Sequence, residues 1–132
     1  MTRNEAREIL MQILFEMDAS KNLDNDTANA LAEERLSGNH ITRGKSLLNS
    51  IINDIDGIDA SINKHSKSWK TGRMPKVDLA VMRLAVGEMR YSEDIPDAVA
   101  INEAINLVKK FSTDNSARFV HGVLGAMAKS NG

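Results

Sequence analysis

The stretch KVDLAVMRLAVGEMRY, residues 76–91, constrains the fold more than any other part of the chain. Wound as a helix, it spreads Leu79, Val81, Met82, Leu84, Ala85, Val86 and Met89 almost all round its axis. A helix that is apolar on nearly every side has to be enclosed by other elements, so this one is predicted to be central. Its neighbours read as helices too. Ala6, Ile9, Leu10, Ile13, Leu14 and Met17 recur at i, i+3, i+4 and i+7, and Leu47, Leu48, Ile51, Ile52 and Ile55 mark a second apolar stripe.

The spacing predicts helices over about 2–19, 27–36, 41–55, 59–69, 76–91, 98–111 and 115–129. Gly57 is expected to interrupt between the third and fourth, and KTGRMPK to break the chain before Pro75 opens the fifth. SEDIP ends that helix, and STDN offers caps for the last. There are no strand pairs, repeats or low-complexity segments. Gly122 and Gly125 are costly inside a helix and are expected to mark close helix–helix contacts. The fold class is all-α, in one domain of 132 residues.

Composition removes several function classes. The chain has no Cys, which excludes a disulfide framework, a thiolate zinc site and a Cys nucleophile. His40, His65 and His121 are far apart in sequence, with no metal-ligand spacing, so no metal is expected. No glycine-rich phosphate motif occurs, so no nucleotide cofactor is expected. No apolar run reaches the length of a membrane span, and the polar opening lacks a signal-peptide core, so the expected location is the cytoplasm. Lys and Arg number 17 against 18 Asp and Glu, a net charge of −1, so any polyanion must be held by a local patch. One such patch is Lys64, Lys67, Lys70, Arg73 and Lys76, a run with no acid, which is either a solvated face or an interaction surface.

The other is TRNEARE. Arg3, Arg7, Met11 and Phe15 form one i+4 ridge on the shoulder of the apolar stripe, with Glu5, Glu8 and Glu16 on the opposite side. Arg3 and Arg7 are like-charged neighbours at the positive end of the helix dipole, with no acid at i±3 or i±4. Either an external anion offsets that, with Phe15 free to stack on a base, or acids from another helix do, with Phe15 packed.

VDLAVMRLAVGEMRY and IPDAVAINEAINLVKKFSTDNSARFVHGVLG resemble the NusB family of bacterial antitermination factors. The most specific part is AINEAINLVKKF followed across a short loop by SARFVHGVLG. AREILMQILFEMD resembles the family's opening helix, and Trp69 with Arg73 fits the approach to its fifth. The resemblance covers 1–18 and about 65–127 and is weak over 19–61.

It implies a bundle of about seven helices in two subdomains, about 1–70 and 71–130, and no catalytic activity. It implies binding of a single-stranded boxA-type RNA together with NusE, a small-subunit ribosomal protein, within an RNA polymerase antitermination complex that supports ribosomal RNA transcription and maturation. Homodimers are known in the family. Carried over by position, the RNA-binding residues are Arg3, Arg7, Phe15, Lys110, Asp114, Asn115 and Ser116, and the NusE-facing ones are Arg73 and Asp78. Three positions depart from the family pattern. Asn4 and Glu5 stand where bases are usual, and Gly87 stands where a bulkier residue is common. The missing bases motivate an alternative, a protein-interaction scaffold with weak or no RNA binding.

Overall fold

The computed structural model describes residues 1–131. Among them are seven α-helices and no strand: α1 (Arg3–Ala19), α2 (Asn25–Arg35), α3 (Asn39–Asn53), α4 (Ile55–His65), α5 (Lys76–Tyr91), α6 (Asp97–Phe111) and α7 (Asp114–Asn131). As its sequence requires, α5 is the axis of the bundle. Every residue from Asp78 to Glu88 is buried, and α1, α3, α4, α6 and α7 all pack against it. The core is continuous, running from Leu10, Ile13, Leu14 and Met17 of α1 through Leu48 and Ile51 of α3 to Val120, Leu124 and Met127 of α7.

Local chemistry sets the helix ends. Thr2 and Glu5 form a reciprocal capping box on α1, the Thr2 hydroxyl accepting from Glu5 N and the Glu5 carboxylate accepting from Thr2 N, each at 3.1 Å. This is why an acid stands at position 5, where the resemblance would place a base. Asp24 accepts from Thr27 N at 2.8 Å, which starts α2 two residues earlier than its apolar pattern. Thr113 caps α7 by accepting from Ser116 N at 3.0 Å.

Two expectations about breaks are corrected. Gly57 lies inside α4, and the chain turns instead at Asp54, whose Oδ2 accepts from Arg90 Nη1 (2.9 Å) and from the Tyr91 hydroxyl (2.6 Å). And α4 ends at His65 rather than near Trp69, because Asn63 Oδ1 accepts from Thr71 N at 2.8 Å and draws the following segment back on itself.

The glycines are also redistributed. A Cβ at Gly122 or Gly125 would meet nothing within 4 Å, so neither marks a close contact. Gly57 is close only to the local Asp54 side chain, at 2.3 Å, and the tight approaches to side chains from other parts of the bundle are at Gly44 and Gly87. A Cβ on Gly87 would lie 2.4 Å from Ile51 Cγ1, so the room left by the missing side chain is filled by Ile51 of α3. At Gly44 the nearest atom is Leu36 Cδ1, at 2.5 Å.

Candidate nucleic-acid interface

The ridge on α1 divides. Arg7 is turned inward, its side chain 8% exposed, and it forks onto Glu88 of α5 through Nε to Oε1 (3.0 Å) and Nη2 to Oε2 (2.8 Å). Glu103 of α6 adds its charge at 3.8 Å. Burial works against the Arg7 cation, but the hydrogen bonds and charge of Glu88, with the charge of Glu103, more than reverse this and raise its pKa above the ordinary arginine value. Arg7 is therefore a buried strut that joins α1, α5 and α6. Of the two ways its charge could be offset, by an external anion or by acids from another helix, the second holds for Arg7, and the acids come from α5 and α6.

Arg3, one turn earlier, is 57% exposed. It donates one hydrogen bond, Nη2 to Asp94 Oδ2 at 2.9 Å. The same oxygen accepts from Arg43 Nη2 of α3 at 2.8 Å. The Arg43 hydrogen bond, then the charge of Arg43 and the hydrogen bond from Arg3, hold the Asp94 carboxyl below the usual aspartate range. Phe15 is half-buried and packs on the core with part of its ring still accessible.

The second patch lies where α6 hands over to α7. Lys110 is exposed. It pairs with Glu8 of α1 at 3.0 Å, and its Nζ sits 5.3 Å from the centroid of the half-exposed Phe111 ring. Asp114 and Asn115 are exposed, and Asn115 Oδ1 accepts from Arg118. Ser116 is buried. It is 5% exposed, and its N–H is given to Thr113 as part of the helix cap, so it stands behind Asp114 and Asn115 rather than beside them on the surface.

Of the two residues assigned to a protein partner, Arg73 is exposed. Asp78 is not. It is 0% exposed, and neither carboxylate oxygen has a hydrogen-bond partner among the described residues. It lies in the first turn of a helix ringed by others, where the positive end of the helix dipole favours an anion. As a surface contact it is corrected. Trp69 stands beside Arg73 in sequence, 44% exposed, with its ring edge-on to Phe119 of α7 at 5.3 Å. Lys64, Lys67, Lys70 and Lys76 are exposed around it in sequence.

Sequence reasoning missed Glu88, Arg43 and Asp94. Their partners on α1 lie 81 residues from Glu88 and 91 from Asp94, and Asp94 and Arg43 are 51 apart, so no local pattern joins them. The one available signal was a glutamate in a helix apolar on nearly every side, where a buried charge is costly unless it is paired. Among the described residues there is no group of His, Asp and Glu that could hold a metal ion, and no helix is long and apolar enough to cross a membrane.

This arrangement has known counterparts. Residues 4–129 match the NusB family. The chain belongs to the NusB family. Among its relatives, the transcription antitermination protein NusB of Desulforamulus reducens is 42% identical over 128 residues, 96% of this chain and 90% of that protein. The same protein of Clostridium novyi is 39% identical over 98% of this chain and all of its own length. Among solved structures, T. maritima NusB superposes with a TM-score of 0.88 at 28% identity, covering 98% of this chain and 92% of its own. A crystal structure of the antitermination factors NusB and NusE in complex with double-stranded RNA matches with a TM-score of 0.83 at 25% identity, covering 97% and 96%. Family membership accounts for the all-α fold and the seven helices.

Proposed function

We propose that this chain is a non-enzymatic transcription antitermination factor. It binds a single-stranded boxA-type RNA together with NusE in the cytoplasm, and so supports ribosomal RNA transcription and maturation. The observation that carries this reading is the match over nearly the whole chain to a NusB solved with NusE and RNA. The RNA surface runs from Arg3, past the accessible part of Phe15, to Lys110, Asp114 and Asn115. Salt-sensitive phosphate contacts come from Arg3 and Lys110, and base contacts from Phe15 and Asn115.

Arg7 acts one step back, by fixing the helix that carries Arg3 and Phe15. The partner surface is the basic run 64–76, with Arg73 and the exposed Trp69 at its centre, and the division of the chain near residue 70 falls within it. Joining a weak RNA surface to a protein surface raises effective concentration, so NusE strengthens RNA binding without touching every nucleotide.

A specific observation favours the scaffold alternative. Each exposed cation of the RNA surface already has an internal acid, Asp94 for Arg3 and Glu8 for Lys110. Fluorescence anisotropy with boxA and scrambled RNA, with and without NusE, separates the two readings. Selective binding that tightens with NusE supports the antitermination factor. Capture of NusE with no RNA binding supports the scaffold.

A further inference from the structure

A cleft of about 540 Å³ lies between the start of α1, α3 and the turn after α5. Arg3, Arg43, His40, Tyr91 and Asp94 stand round its mouth, and the Arg7–Glu88 pair lies in its wall. Its charges are held differently from those of the core. Arg7 on Glu88 and Arg83 on Asp59 are each gripped through Nε and Nη2, the two-pronged geometry that saturates a guanidinium–carboxylate pair. Arg3 and Arg43 each spend one N–H on a single shared oxygen, Asp94 Oδ2. The remaining donors of both forks stay open.

We infer that this cleft is a subsite for one phosphodiester of the bound RNA, and that Asp94 occupies it as an internal stand-in for that phosphate. The inference rests on the RNA-binding reading above. A phosphodiester presents two non-bridging oxygens, so it can take a two-pronged grip from either arginine while still touching the other, which one carboxylate oxygen cannot do. Asp94 is half-exposed on a short turn closed by Ile95 N donating to Ser92 O, so it can leave without opening a helix. With Asp94 displaced, two guanidiniums face the phosphate, and Glu93 is the remaining exposed acid on the rim.

Tyr91 extends the site. Its hydroxyl is pinned by its donation to Asp54 Oδ2 at 2.6 Å, and the residue is 44% exposed, so its ring offers a stacking surface to a base beside the phosphate. The arrangement also explains how the chain tolerates Asn4 and Glu5. The cation missing from α1 is supplied from α3 by Arg43.

The test uses the full chain with NusE, boxA RNA and a salt series. Asp94→Asn removes the competing anion and is expected to tighten RNA binding about fivefold. Arg43→Gln is expected to weaken it about tenfold and to flatten the slope of log K against log salt by about 0.7, one phosphate contact to a single strand. Both side chains are about half-exposed, and thermal melts check that the fold is unchanged. Inorganic phosphate is the second arm: it should compete only at concentrations far above those of RNA. Competition by phosphate at RNA-like concentrations would make this a small-anion site and overturn the inference. Wild-type binding with neither variant changed would overturn it too, while leaving the RNA-binding reading intact. No RNA binding by the wild type or by Asp94→Asn would overturn both.

Discussion

Arg3 and Arg7 stand one helical turn apart, carry the same charge and belong to the same short motif, yet they do opposite work. Arg7 is sealed into the core by Glu88 and Glu103, whereas Arg3 lies in solvent and shares one carboxylate oxygen with Arg43. The same contrast recurs elsewhere, with Arg83 buried between Asp59 and Asp18, and Lys110 exposed on Glu8. A cation's distance from the bundle axis decides whether its charge stabilises the fold or is available to a ligand. The buried pairs are strongly coupled, and removing one partner strands a charge in low dielectric. The exposed pairs exchange easily with another anion.

The largest effect is expected at the buried end. Glu88→Ala leaves Arg7 buried without its main partner and should cost about 3–5 kcal/mol, read by urea denaturation. A midpoint unchanged from wild type would remove Arg7 from the framework. It follows that reversing the charge of Arg7, an obvious test of RNA binding from sequence, would confound binding with unfolding. Next in size is Gly87→Leu, which drives a side chain into Ile51 and should cost about 1–3 kcal/mol. Pairing it with Ile51→Ala should cost less than the two single changes added together.

Asp54 lies between the extremes, about a third exposed. The Tyr91 hydroxyl, and then Arg90, hold its pKa below the ordinary aspartate value. A depressed carboxylate stabilises the fold while ionised. The contribution is therefore complete above the unfolded pKa, near 4, and is lost as pH falls through the lower folded value. Asp54→Asn should thus cost about 1 kcal/mol at neutral pH, and its melting temperature should converge on wild type as pH falls below about 4. The smallest expected effect on stability is at the exposed end. Arg3→Gln should change folding free energy by less than about 0.5 kcal/mol while still weakening RNA binding.

The helices were legible because each buries a face whose spacing is written locally, and α5 most of all, since a run with no polar side admits only a central position. Their ends were less so. Asp54 rather than Gly57 ends α3 because Arg90 and Tyr91 reach it from a distant helix, and no local signal announces that. The surface was half legible. That Arg3, Lys110, Asp114 and Asn115 are exposed and Phe15 only half-buried agrees with their places on the α1 ridge and at the α6–α7 loop. The fates of Arg7, Ser116 and Asp78 depended on which way each faced in the bundle. Arg43 could not be found at all, because what links it to Arg3 is a carboxylate that belongs to neither helix.

Exposed, replaceable ion pairs thus form the proposed RNA grip, on a framework held by buried ones. The most direct test of that arrangement is the salt dependence of boxA RNA affinity, with NusE present, for wild type and for the Arg3→Gln/Lys110→Gln double variant. The expected result is coincident thermal melts, weaker binding by the variant, and a slope of log K against log salt shallower by about 0.7 for each lost contact. Equal affinity and an equal slope in the two proteins would contradict it.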